Sequence, residues 1–92
     1  MSIEQQKIDT GDSVFHAPTG YELVVAYVRD DKFAWLGWPP GEGWLKDITL
    51  VEKATDEYRE ETLRRMAKIK GNDPRWSYAR RRLELMSGDT KP

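Results

Sequence analysis

The run YELVVAYV, residues 21–28, constrains the fold more than any other stretch of this chain. It is rich in β-branched and aromatic residues and reads as a strand. Two alternations compete within it: Leu23, Val25 and Tyr27 on one face, Val24, Ala26 and Val28 on the other. A strand apolar on both faces needs cover on both sides. It belongs at the centre of a sheet, packed on both faces or curled into a small barrel. Shorter strand patterns surround it. Ser13 to His16 comes before, across the Ala17-Pro18-Thr19-Gly20 turn, where proline sets φ and glycine is free to take φ > 0. The polar connection Arg29-Asp30-Asp31-Lys32 leads to a strand from Phe33 to Trp38. A last strand is expected from Trp44 to Glu52, with Leu45, Ile48, Leu50 and Val51 as its apolar positions. Between these two lies GWPPGEGW, residues 37–44, whose prolines and glycines read as a long turn joining strands.

The period then changes from two to helical. Thr55 suits an N-cap, and Asp56 and Glu57 suit the positive end of a helix dipole. Tyr58, Thr62, Met66 and Ile69 share a stripe, with Leu63 beside it. Lys68 and Lys70 fall in the last turn, and Gly71 fits the position just past the end. Asp73 and Pro74 restart a helix as N-cap and first residue. On this second helix Trp76, Ala79, Leu83 and Met86 share a face. The order is thus four or so short strands followed by two helices, which predicts an α+β chain. The expected layout is a polar N-terminal tail over 1–10, a β-domain over 11–52, a helical hairpin over 55–86 and a frayed end over 87–92.

Ninety-two residues make one small domain with a modest core. There is no cysteine, so disulfides and thiolate metal sites are excluded and a reducing cytoplasm is the expected location. No apolar run approaches the roughly 20 residues of a membrane span. The N-terminus lacks the basic-then-apolar plan of a signal peptide. The net charge of −1 hides a split: residues 1–63 carry −7 and residues 64–92 carry +6. Such a split marks either a face for nucleic acid or an acidic partner, or a basic part folded back on an acidic part of the same chain or of a twin.

Four short antiparallel strands with an aromatic-rich interior fit a small SH3-like barrel, with the helices capping it. From Gly11 to Thr55 the chain also resembles a class of small prophage-type bacterial proteins. Their pattern is G-D-x-V, then P-T-G, a V-A-x-V strand, a G-W-P segment and a closing L-V strand. The D-P-R-x-x-Y-A-R-R-R-L segment, Asp73 to Leu83, is similar to the same group. The resemblance implies a phage or mobile-element context and a cytoplasmic location, and it supplies no active site. The G-D-x-V opening further resembles KOW-type barrels, which is a likeness of fold alone.

Three sets of residues bear on function. For catalysis, the lone His16 reads as a surface or half-buried strand residue, and Ser13 lacks a G-x-S-x-G setting. The acids Asp56, Glu57, Glu60 and Glu61 pair along a helix with Arg59, Arg64 and Arg65. No catalytic set, cofactor or metal site is expected. For partner binding, Trp38, Pro39, Pro40 and Trp44 form an aromatic loop suited to a host or phage protein, with Trp38 the expected exposed ring. The competing reading makes the tryptophans core. For nucleic acid, Arg75, Arg80, Arg81 and Arg82 supply cations beside Trp76 and Tyr78, although a sequence pI near 5.8 is low for such a binder. The competing reading pairs this arginine run with Glu57, Glu60 and Glu61, or packs its stems on Trp76. The apolar helix residues also suit a symmetric homodimer through the helices.

Overall fold

The computed structural model describes residues 8–37 and 39–86. Among them the order is β1 (Ser13–His16), β2 (Tyr21–Arg29), β3 (Lys32–Leu36), β4 (Gly41–Trp44), β5 (Ile48–Glu52), α1 (Asp56–Lys68) and α2 (Pro74–Met86). A 3-10 turn, Leu45–Asp47, leads into β5. The fold is α+β: a five-stranded antiparallel sheet followed by two helices. The strand order is β4-β3-β2-β1-β5, so β2 is central, as its two apolar faces require, and the open sheet has β4 and β5 as its edges.

The two competing alternations in β2 are both used, because the strand changes face partway. Val25 pairs with Trp35 and Tyr27 with Ala34, leaving Ala26 as the extra residue of a bulge. The bulge takes the Ala26 carbonyl out of the ladder, and the buried Thr10 hydroxyl donates to it at 2.8 Å. The neighbouring backbone extends the repair: Gly11 N–H donates to Val25 O, and Val25 N–H donates to Asp12 O. One sheet face buries Val14, Val25, Phe33 and Ile48 together with Ile8. The other buries Ala26, Tyr27 and Ala34 against Leu63 and Met66 of α1 and Ala79 of α2. The two alanines on that face let the helices approach the sheet closely.

Residues 8–10 depart from the expected tail. Ile8 and Thr10 are buried, and Asp9 is half-buried. A single apolar residue in a polar stretch carries no periodicity, so its burial left no pattern to read. Residues 1–7 and 87–92, the rest of the two expected tails, lie outside the described residues.

Asp12 joins the N-terminal turn to the helices. Its side chain is fully buried. It accepts from Asp9 N–H at 2.9 Å, Ala54 N–H at 2.8 Å, Lys53 Nζ at 2.8 Å and Arg59 Nη2 at 3.5 Å. Arg59 also donates to the Thr10 and Ala54 carbonyls and to Asp56. Arg82 of α2 grips Asp9 with a fork, Nη1 to Oδ1 at 2.6 Å and Nη2 to Oδ2 at 2.9 Å. Both helices are thus tied by charge-assisted hydrogen bonds to the turn that mends the β2 bulge.

Burial of Asp9 opposes its ionisation. Hydrogen bonds from Arg82 and from Thr10 N–H, with the charges of Arg82 and Arg59, outweigh burial and hold its carboxyl below the usual 3.8. Asp73 is lowered as well, chiefly by its hydrogen bond from Arg75. A depressed carboxylate contributes stability that is fully present above its unfolded pKa and is lost as pH falls through the folded value. Urea unfolding is therefore expected to show falling stability once pH drops below the ordinary carboxylate range, with Asp9→Asn flattening part of that fall. An Asp9→Asn profile parallel to the parent's would remove Asp9 as a cause.

Both helix starts follow the sequence signals, whereas α1 ends at Lys68 with Ile69 as its C-cap, so Lys70 lies past the last turn and Gly71 two residues past the cap. Thr55 Oγ1 accepts from Tyr58 N–H, and Asp73 Oδ1 accepts from Arg75 N–H. On α1 the buried positions are Thr62, Leu63 and Met66, while Tyr58 and Ile69 at the ends of the expected stripe are exposed. On α2 Ala79 is buried and Leu83 half-buried, but Met86, expected on the same face, is 51% exposed. Of the apolar residues expected to exceed what the sheet needs, Leu63 and Met66 are buried and Leu83 half-buried, while Ile69, Leu85 and Met86 stay exposed.

Candidate functional site

GWPPGEGW is a strand as much as a turn. Gly41–Trp44 forms β4, paired to β3 with Lys32 opposite Trp44, Phe33 opposite Gly43 and Trp35 opposite Gly41. The two glycines point at the interior, where neighbouring rings take the space that their side chains would fill. A Cβ on Gly41 would lie 2.5 Å from Trp35 Cζ2, and one on Gly43 would lie 2.8 Å from His16 Nε2 and 2.9 Å from Phe33 Cε1. His16 is buried in this cluster, where a surface or half-buried position was expected. Its ring meets Phe33 edge-on at 5.8 Å and lies 5.4 Å from Trp35. His16 Nδ1 is 2.9 Å from Thr19 Oγ1, so its polar edge is engaged by the P-T-G turn.

The alternate residues of β4 point outward. Trp44 is 44% exposed, with Lys32 Nζ 4.8 Å from its ring centroid. Glu42 accepts from the Tyr27 hydroxyl at 3.3 Å. Burial, with the charge and hydrogen bond of Glu42, raises the Tyr27 phenol above its ordinary value. Pro39 and Pro40 are exposed, and the Pro39 carbonyl accepts from Trp35 Nε1 at 3.0 Å. Trp35 therefore holds the loop from beneath while Trp44 stays open at the end of an edge strand. Trp38, expected to be the exposed ring, lies outside the described residues. The sequence reading missed Lys32 and Glu42. Lys32 was detectable, since a two-residue turn at Asp30-Asp31 fixes which residues face each other across the hairpin, and Asp30 takes φ +58° there.

The four arginines of the other candidate surface are divided by the fold. Arg75 is buried: it forks onto Asp73, donates to Trp35 O at 3.0 Å and lies over the Trp76 ring. Arg80 donates to the carbonyls of Ala67, Ile69 and Gly71, covering the C-terminal end of α1. Arg82 is spent on Asp9 and Tyr78. Arg81 is exposed and makes no ion pair among the described residues. The expected partners Glu60 and Glu61 instead pair within α1, with Arg64 and Arg65. A phosphate-binding surface needs several unspent cations, and three of these four already serve the fold.

Among the described residues no group of three or more His, Asp or Glu side chains is placed to hold a metal ion, and no helix is long and apolar enough to cross a membrane. No protein-family model, curated protein sequence or solved structure matches the chain. The site must be read from its own chemistry.

Proposed function

We propose that this chain is a non-catalytic protein-binding module of phage or prophage type. It works in the cytoplasm and engages an extended segment of a host or phage protein along β4. The observation that carries this is Trp44, left open on an edge strand while Phe33, His16 and Trp35 of the same sheet turn inward. Exposed prolines precede the strand, and a tryptophan beside an edge suits a peptide that adds main-chain hydrogen bonds and one side-chain contact. The buried ionisable groups Asp12 and Arg75 are engaged in holding the fold, which favours a binding role over proton transfer. The finer architecture proposed is an SH3-like barrel. Its support is the strand order, the bulge that bends β2, and the 3-10 turn before the last strand. The motif resemblance of residues 11–55 supports the phage context.

The test is affinity capture from host lysate with tagged parent, Trp44→Ala and Arg81→Glu chains, each with and without nuclease. A protein partner retained by the parent and Arg81→Glu after nuclease, and lost by a folded Trp44→Ala chain, is the expected result. Capture that depends on nucleic acid and on Arg81 would replace this reading with the nucleic-acid one. Trp44→Ala itself should cost about 1 kcal/mol of stability, since the residue is 44% exposed and its ring lies in no buried cluster.

A further inference from the structure

The main chain of β4 that faces away from β3 belongs to Glu42 and Trp44. Leu45 N–H donates to Asp31 O at 2.9 Å. With Lys32 opposite Trp44 and Phe33 opposite Gly43, that bond fixes the alternation along the strand. Gly41 and Gly43 bond toward β3, while the N–H groups of Glu42 and Trp44 and the Glu42 C=O point to the open edge. No strand lies beyond β4 among the described residues. Glu42 and Trp44 also carry the only side chains of the strand, since its other two positions are glycine. A segment added to this edge therefore meets two side chains, on one face and two positions apart.

The two side chains ask for different chemistry. Trp44 offers a half-open ring to an apolar side chain. Glu42 is exposed and makes no ion pair among the described residues. Its neighbours on the same face are Ala34, directly opposite, and the Tyr27 hydroxyl at 3.3 Å, neither of them a cation. Lys32, the one cation of β3, stands opposite Trp44 instead, with its Nζ 4.8 Å from that ring centroid. Leaving the Glu42 carboxylate unpaired beneath an added strand costs free energy.

Resting on the reading of β4 as a protein-binding edge, we infer that the partner segment carries a lysine or arginine facing Glu42 and an apolar residue two positions away facing Trp44. Opposite charges directly across a ladder stabilise it, and like charges do the reverse. The spacing of two holds for either direction of addition, because alternate residues of any strand share a face. Only the order differs. Antiparallel addition puts the apolar residue first in sequence and the basic residue second, and parallel addition reverses them. The end segments of this chain do not carry the pattern. The one basic residue of 1–7, Lys7, has Gln5 and Asp9 two positions away, and the one basic residue of 87–92, Lys91, has Asp89. Neither segment fits this edge.

The experiment is selection from a display library of random heptapeptides on the immobilised full chain, with Trp44→Ala and Glu42→Gln chains for comparison. Peptides retained by the parent and lost by a folded Trp44→Ala chain are expected to carry lysine or arginine two positions from an apolar residue. Synthetic copies of them should bind Glu42→Gln about fivefold more weakly than the parent at low salt, the upper end for one cross-strand charge pair. The difference should shrink as salt is added. Selection on Glu42→Lys should exchange the basic residue for an acidic one. Glu42→Gln keeps an acceptor for the Tyr27 hydroxyl, so its thermal melt should stay at the parent value. Trp44-dependent peptides that lack the basic residue, or that bind parent and Glu42→Gln equally, overturn the inference and leave the binding role of β4 standing. A library that yields no Trp44-dependent peptide overturns both.

Discussion

Replacing Asp12 by alanine is expected to cost about 3–5 kcal/mol of folding stability, the range for removing one partner of a buried, hydrogen-bonded charge cluster. The side chain has no exposure to water, so nothing replaces it when it is cut back. Two backbone donors, Asp9 N–H and Ala54 N–H, would lose their acceptor, each at about 1–3 kcal/mol if left buried. Arg59 would keep Asp56 and two carbonyls, which moderates its share. Lys53 contributes least, because its side chain is 45% exposed and can turn to water. Denaturant unfolding should thus rank Asp12→Ala far above Lys53→Met. Asp12→Asn should fall between them: it keeps one acceptor oxygen but turns an NH2 toward groups that are themselves donors. The loss is also local in its first effects. Hydrogen exchange at Ala54 and through the first turn of α1 should speed up before the sheet opens. An Asp12→Ala chain within about 1 kcal/mol of the parent would show that the Asp12 cluster is not what holds α1 to the sheet.

Much of this fold was legible, and the parts that were not have identifiable reasons. β2 announced its central place through two apolar faces, although the bulge at Ala26 that lets it serve both could not be read from alternation. Thr55 and Asp73 announced both helix starts, because capping is a local interaction between neighbours in sequence. β4 was hidden because its inward positions are glycines. Their pattern is an absence, and the atoms that fill it belong to Trp35, His16 and Phe33 from other strands. Arg75 and Arg82 looked like a surface run, since a guanidinium shows nothing of its partner. Their partners, Asp73 and Asp9, lie two and seventy-three residues away. Of the candidate loop, Pro39, Pro40 and Trp44 stand exposed; Glu42 lies between them on β4 itself, and Lys32 joins them only through cross-strand pairing.

Gly43→Ala is the second large effect expected, at about 3 kcal/mol, the upper part of the range for overpacking a filled site. The new methyl would sit 2.8 Å from His16 Nε2 and 2.9 Å from Phe33 Cε1, and both rings are buried. Neither can swing to solvent without breaking its own contacts: Phe33 lies against Trp35 at 5.9 Å, and His16 is held at Thr19. Gly41→Ala makes a shorter contact, 2.5 Å to Trp35 Cζ2, yet a smaller loss of about 1–2 kcal/mol is expected. Trp35 is only half-buried and can tilt outward by giving up its hydrogen bond to Pro39 O. Size at the clash is therefore less decisive than whether the struck ring has somewhere to go. Phe33→Leu combined with Gly43→Ala should recover part of the loss, since it removes the struck ring edge, and a double-mutant cycle measures that coupling. Additive losses would place the strain at His16 or in the β4 backbone instead. The same substitution reaches the proposed binding surface. Pushing β4 away from Phe33 shifts Trp44 and the edge that carries it, so partner capture should weaken in Gly43→Ala even though every exposed side chain of the surface is intact.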